Sequence, residues 1–205
     1  MTRLVVATHN QGKVRELRAI LAETVPGVEL VAYDGPEPVE DGDDFAANAL
    51  IKARAAAAHT GLAAVADDSG IGADALGGAP GVHSARYAGT RVDDDNIDLL
   101  LANLAGVDDR SGRFSCAAAL VVPGEDGRPV LEHVEEGVWP GTVLEERCGT
   151  GGHGYDPVFL GEGDDRSAAE LSPDEKNARS HRSRAFRALA PVVARLVDEG
   201  RLPGA

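Results

Sequence analysis

The sequence predicts an α/β protein, a mixed sheet with flanking helices. Three observations point there. Short apolar runs alternate with segments of helical period over the first third of the chain. The middle reads as consecutive strands joined by a Pro-Gly turn. Hydrophobic residues make up 43% of the 205, enough to bury a sizeable core.

Each element follows in order. Leu4 to Thr8 reads as a buried strand and Val28 to Ala32 as a second. Between them Lys13 to Val25 reads as a helix, with Val14, Leu17, Ile20, Leu21 and Val25 on one side. His9-Asn10-Gln11-Gly12 forms the tight turn that opens it. A Pro/Gly/acid segment from Asp34 to Asp44 leads to a helix ending at Thr60, with Gly61 as its stop. Leu62 to Ala66 is a strand that ends in Asp67-Asp68-Ser69-Gly70, and Ile71 to Thr90 is a glycine-rich loop. After Asp93-Asp94-Asp95 comes a helix with Ile97, Leu100, Leu101 and Leu104 inward.

Phe114 to Val122 and Val130 to Val138 are strands joined by Pro123-Gly124-Glu125-Asp126-Gly127, with a third at Thr142 to Arg147. A glycine loop, Gly149 to Gly154, precedes a short strand at Val158 to Leu160. Ser172-Pro173-Asp174-Glu175 is a capping box with proline in the first helical position. The last helix carries Phe186, Leu189, Ala190, Val193, Leu196 and Val197 on one face, with a kink expected at Pro191. Residues 1–205 are read as one domain without internal repeats.

The net charge of −14 argues against general nucleic-acid binding, because a broad acidic surface repels phosphate backbones. A small anionic ligand needs only a local cluster of donors. Cys116 and Cys148 fit no zinc spacing and read as buried thiols of a reducing compartment. The apolar run at the N-terminus is too short for a signal segment, and no stretch reaches membrane-spanning length. A cytoplasmic protein with no membrane partner is expected.

Lysine usage is informative. Of 20 basic residues only Lys13, Lys52 and Lys176 are lysine, and each has an asparagine nearby: Asn10, Asn48 and Asn177. A lysine offers phosphate a compact charge where arginine offers a planar fork. Thr8 to Lys13 lies where a strand hands over to a helix, a place that favours anions. Asp44, Asn48 and Lys52 share one helical stripe. Glu40 and Asp41 precede Gly42, and Asp67 and Asp68 end a strand; carboxylates such as Glu40 and Asp68 suit a Mg²⁺ that also takes phosphate and water oxygens.

Gly149-Thr150-Gly151-Gly152-His153-Gly154 matches G-x-G-x-x-G, but Tyr155-Asp156-Pro157 and an apolar strand follow. A dinucleotide motif must open a helix, so this is instead a loop suited to lie beside a base or phosphate. His181 and Arg182, at the start of the last helix, can both donate to carbonyl or phosphate oxygens.

In this order, these stretches closely resemble the inosine triphosphate pyrophosphatase (dITP/XTP pyrophosphatase) family. The matching blocks are Thr8 to Lys13; Phe45, Asn48-Ala49 and Lys52-Ala53; and Asp67-Asp68-Ser69-Gly70. They continue through Leu76 to Gly81, Ser84 to Tyr87, Gly151 to Pro157, and Lys176 with Ser180-His181-Arg182. The resemblance implies two lobes around a central nucleotide cleft, a homodimer, and Mg²⁺-dependent hydrolysis of ITP, dITP or XTP to the monophosphate and pyrophosphate. It assigns Glu40 and Asp68 to the metal, and Asp68 also to the catalytic base. Thr8, His9, Asn10, Gln11, Gly12, Lys13, Lys52, Ser69 and Lys176 would surround the substrate, with its phosphates held by the lysines. His153, Gly154, Tyr155, Asp156, His181 and Arg182 would surround the base.

The chain departs from the family at two positions. His153 stands where a phenylalanine is usual, and Ala47 stands where a glutamate commonly precedes Asn48. Donors at His181 or Arg182 would favour a 6-oxo purine over adenine. Two alternatives stay open on sequence alone: a pyrophosphatase for other modified nucleotides, and a non-catalytic nucleotide sensor.

Overall fold

The computed structural model describes residues 2–202. Among the described residues there are six strands: β1 (Thr2–Val6), β2 (Val28–Ala32), β3 (Ala64–Ala73), β4 (Ser111–Pro123), β5 (Pro129–Val143) and β6 (Phe159–Gly161). They hydrogen-bond in the order β2-β1-β3-β4-β5-β6. β1 runs parallel to β2 and β3, and β6 runs antiparallel to β5, so the sheet is mixed as expected. The helices are α1 (Gln11–Thr24), α2 (Phe45–Thr60), α3 (Asp93–Asn103), α4 (Pro173–Arg179) and α5 (His181–Asp198). None is long and apolar enough to cross a membrane.

The chain forms two compact units. Unit one takes the chain up to Asp68, Cys116–Gly137 and the chain from Arg182 onward; unit two takes Ser69–Ser115 and Val138–His181.

The two faces of unit one's sheet are built from different residues. Side chains alternate along a strand, so Leu4, Val6, Val65, Ala118 and Leu120 share one face. Leu17 and Ile20 of α1 and Phe186, Leu189 and Val193 of α5 bury against it. The other face carries Val5, Ala7, Ala64, Ala66, Ala117 and Ala119, and receives Ala49, Ala53, Ala56 and Ala57 of α2. Alanine on both partners lets helix and sheet approach closely, at the cost of less apolar area buried per residue.

Unit two gathers aromatic side chains. The rings of Phe114 and Phe159 lie 4.5 Å apart edge-on, and Trp139 lies 5.3 Å from Phe159. Ile71, Leu100, Leu104 and Tyr155 complete this core. Gly141 pairs with Gly161 across β5 and β6, and a Cβ on either would strike Leu160, Phe159 or Trp139.

Three sequence expectations need correction. β3 does not stop at Ala66 but runs on through both aspartates to Ala73, because Gly70 to Ala73 are buried and continue the extended chain. The loop expected from Ile71 therefore begins later, and short 3-10 turns occupy Asp74–Leu76 and Gly81–Arg86. The separate strand at Thr142 to Arg147 does not exist; β5 continues to Val143, bending nowhere into a turn. The last helix starts at His181 as expected, and Ser180, fully buried and extended, separates it from α4. The capping box at Ser172 and Glu175 is formed as expected.

Candidate functional site

In unit one the site grows from three local structures. Asn10 caps α1: its Oδ1 accepts from Gly12 N at 2.8 Å and Lys13 N at 3.2 Å. A Cβ at Gly12 would lie 3.0 Å from that oxygen, a tight contact. Thr8 Oγ1 accepts from Asn10 N. The side chain of Gln11 lies outside the described ones. A hydrogen bond of 3.0 Å joins His9 Nδ1 and Glu37 Oε1, and the His9 ring stacks on Tyr33. Thus the segment that carries Glu40 is fastened to the α1 turn.

On α2, Asp44 is the N-cap, accepting from Ala47 N at 2.7 Å. Asn48 is buried and its Oδ1 accepts from Gly42 N, fixing the segment after Glu40. One helical turn on, Lys52 Nζ donates to Glu40 Oε2 at 3.0 Å and Asp68 Oδ1 at 3.3 Å.

The third structure is β3 itself. Strand alternation sends Asp67 to the α1/α5 face and Asp68 to the α2 face. Asp67 Oδ2 accepts from Lys13 Nζ at 3.2 Å and from Arg182 Nε at 3.0 Å. Burial would raise the Asp67 carboxyl, but Lys13, Arg182 and Lys52 together hold it well below the usual carboxylate range. The Asp68 carboxyl is pushed up, chiefly by burial; Lys52 opposes this and the like charge of Glu40 adds to it. Lys52 is held above its ordinary value by Asp68, Asp67 and Glu40 against a burial effect that would lower it.

Arg182 is almost wholly buried, with Nη1 on Glu16 Oε2 at 2.7 Å in addition to its bond to Asp67. Glu16 was missed by the sequence reading. The signal was present: Glu16 follows Lys13 by three residues, so the two share a side of α1.

In unit two, Lys176 Nζ donates to Asp156 Oδ2 at 2.5 Å, and both side chains are buried. The same oxygen accepts from His153 N at 2.8 Å. His153 itself is exposed. Tyr155 is buried and its hydroxyl donates to Ser84 O. The ring of His181 is buried and stacked on Phe114, with centroids 4.7 Å apart. Ser69 lies in β3, half-buried. A 3-10 turn, Asp156–Val158, and then β6 follow the glycine loop, which removes the dinucleotide motif reading.

Glu40 and Asp68 both approach the Lys52 ammonium, and the Asp68 carboxyl already feels Glu40's charge. Two carboxylates of this kind fit a Mg²⁺ that completes its shell with phosphate oxygens and waters. Among the described residues no group of three or more His, Cys, Asp or Glu forms a protein-only metal cage.

The mixed sheet, the capped α1 turn and the lysine–carboxylate cluster define an α/β protein built to hold a phosphorylated ligand. More particularly, the chain belongs to the Ham1 family, whose model matches residues 4–192. It is 54% identical to a dITP/XTP pyrophosphatase of Leifsonia xyli over 98% of this chain and the whole of that one. Its fold is similar to that of a HAM1 protein from Coxiella burnetii, with a TM-score of 0.84 and 40% identity, covering 95% of this chain and all of that one. It is also similar to a nucleoside-triphosphatase / dITP/XTP pyrophosphatase from Mycobacterium abscessus, with a TM-score of 0.72, 46% identity, and coverage of 93% and 100%.

Proposed function

We propose that the protein hydrolyses non-canonical purine nucleoside triphosphates (ITP, dITP and XTP) between the α and β phosphates, releasing the monophosphate and pyrophosphate. The observation that carries this reading is Asp68. Its raised carboxyl sits beside Lys52 and Glu40 in a chain whose relatives are dITP/XTP pyrophosphatases.

Asp68 orients the attacking water and takes its proton. A free aspartate is a weak base, so most of the help comes from position. Lys13 and Lys52 hold phosphate oxygens and stabilise charge on the departing pyrophosphate. Glu40 and Asp68 would hold Mg²⁺, which when bound neutralises phosphate charge and orients the chain of phosphates. Asp67, locked ionised by its three cations, keeps Lys13 in place.

The segment His153 to Asp156 meets the purine, and the ring of His153 can lie against it as a phenylalanine would. His181 supports the preference for a 6-oxo group. Arg182, whose guanidinium is held by Asp67 and Glu16, is the second donor for that preference. The active form is a homodimer in the cytoplasm, without nucleic-acid or membrane partners.

The test is a panel of ITP, dITP, XTP, GTP and ATP, with and without Mg²⁺, resolving mono- and diphosphate, pyrophosphate and orthophosphate. Metal-dependent pyrophosphate from the 6-oxo substrates, with ATP and GTP spared, is the expected result. Orthophosphate and diphosphate as products would overturn the bond assignment. Equal turnover of ATP would overturn the base preference.

A further inference from the structure

The glycine loop that precedes Tyr155 is expensive to order. Gly149, Gly152 and Gly154 all hold positive φ angles, at +79°, +72° and +59°, and glycine loses the most freedom on folding. Its backbone is nevertheless stitched down. Gly151 N donates to Ala169 O at 3.1 Å, and Cys148 N to Pro157 O at 2.8 Å. His153 N donates to Asp156, whose carboxylate also fills the space a Gly152 Cβ would need.

A further fastening comes from a residue in none of the motifs. Gly154 N donates to Asp93 Oδ2 at 2.9 Å. Asp93 is the first residue of α3 and is exposed. The same helix also grips the chain just before the loop. Arg147 Nη1 lies 2.8 Å from Asp98 Oδ1, and its Nη2 donates to Asp94 O at 3.1 Å. The first turns of α3 therefore bracket the glycine loop on both sides, through Arg147 before it and Gly154 after it. A surface ion pair such as Arg147–Asp98 is worth little alone. The amide-to-carboxylate bond is charge-assisted and directional, and it acts on the residue next to His153.

We infer that Asp93 is a positioning residue for purine recognition: by accepting from Gly154 N it sets the backbone that presents His153. This rests on the reading that the 153–156 segment meets the base. The phosphate-holding lysines and carboxylates of unit one are not part of it.

The experiment compares Asp93→Ala, Asp93→Asn and His153→Ala with the wild-type enzyme. It measures kcat and KM for ITP, and inhibition by inorganic tripolyphosphate, which has phosphates but no base. Asp93→Ala raises KM for ITP about tenfold, the order expected for one lost charge-assisted hydrogen bond, with kcat and tripolyphosphate inhibition little changed. Asp93→Asn keeps an acceptor oxygen and restores most of the affinity. A wild-type KM in Asp93→Ala, or parallel loss of ITP and tripolyphosphate binding, overturns the inference. If His153→Ala raises KM while Asp93→Ala does not, this inference alone falls. If neither changes KM, the assignment of the loop to the base falls with it.

Discussion

The two faces of β3 in unit one treat neighbouring aspartates in opposite ways. On the α1/α5 face Asp67 is buried among Lys13, Arg182 and, at longer range, Lys52, and its carboxyl is driven far down. On the α2 face Asp68 has Lys52 for a partner, Glu40 as a like charge and partial burial, and its carboxyl is driven up. One residue is a permanent anion that anchors cations. The other is a carboxylate whose proton affinity has been increased. The difference teaches that an adjacent acid pair need not be a shared site: strand alternation separates the two, and the cations each helix brings decide what each becomes.

The largest expected effect tests the Asp68 side. Asp68→Asn lowers kcat by roughly 10²–10⁴-fold, the range for losing a general base, while thermal unfolding stays close to wild type. A folded Asn variant of near-normal rate would remove Asp68 from the chemistry. The next effect tests the Asp67 side. Asp67→Asn leaves Arg182 and Lys13 short of their shared anion. It should cost about 3–5 kcal/mol of unfolding free energy in a urea titration, as breaking buried ion pairs does. If Asp67→Asn instead lost only activity, the anchor role would be wrong and the contrast between the faces would disappear.

Much of this was readable from the chain. The period of the apolar residues gave α1, α2 and β2 nearly to the residue, since amphipathic periodicity and the caps at Asn10 and Asp44 are local signals. The ends of β3 and β5 were not readable. Gly70 and Gly72 look like loop residues until the packing that buries them is known. Among site residues, the lysines and the Asp67-Asp68 pair stood out by type and motif. Glu16 shares a side of α1 with Lys13, but neither it nor Asp93 has a spacing that names its own contact, Arg182 or Gly154, far along the chain. For the same reason Arg182, read from sequence as a direct donor, has two carboxylates on its guanidinium.

The smallest expected effect extends the contrast to a carboxylate in neither cluster. Glu175 is held down to about 2 by its bond to Arg166, helped by those from Ser172, on the exposed start of α4. A lowered carboxyl stabilises the fold above its ordinary value and loses that contribution as pH falls. The urea midpoint of wild type should therefore exceed that of Glu175→Gln above about 4.5, and the gap should close toward pH 2. A gap unchanged across that window would show that the box does not depend on charge. Solvent screening keeps this effect small beside that of Asp67.

The two cysteines happen to be shared out between the units. Cys116 is buried in unit one, and burial, with Asp67 adding to it, raises its thiol well above the ordinary range. Cys148 is partly exposed in unit two, and its backbone N–H is bonded to Pro157. A thiol-reactive dye can attack only a thiolate it can reach, so Cys116 reacts only when unit one opens. The natural chain thus carries its own reporter for unit one: labelling of Cys116, with the partly exposed Cys148 as an internal reference, tells how often that unit opens.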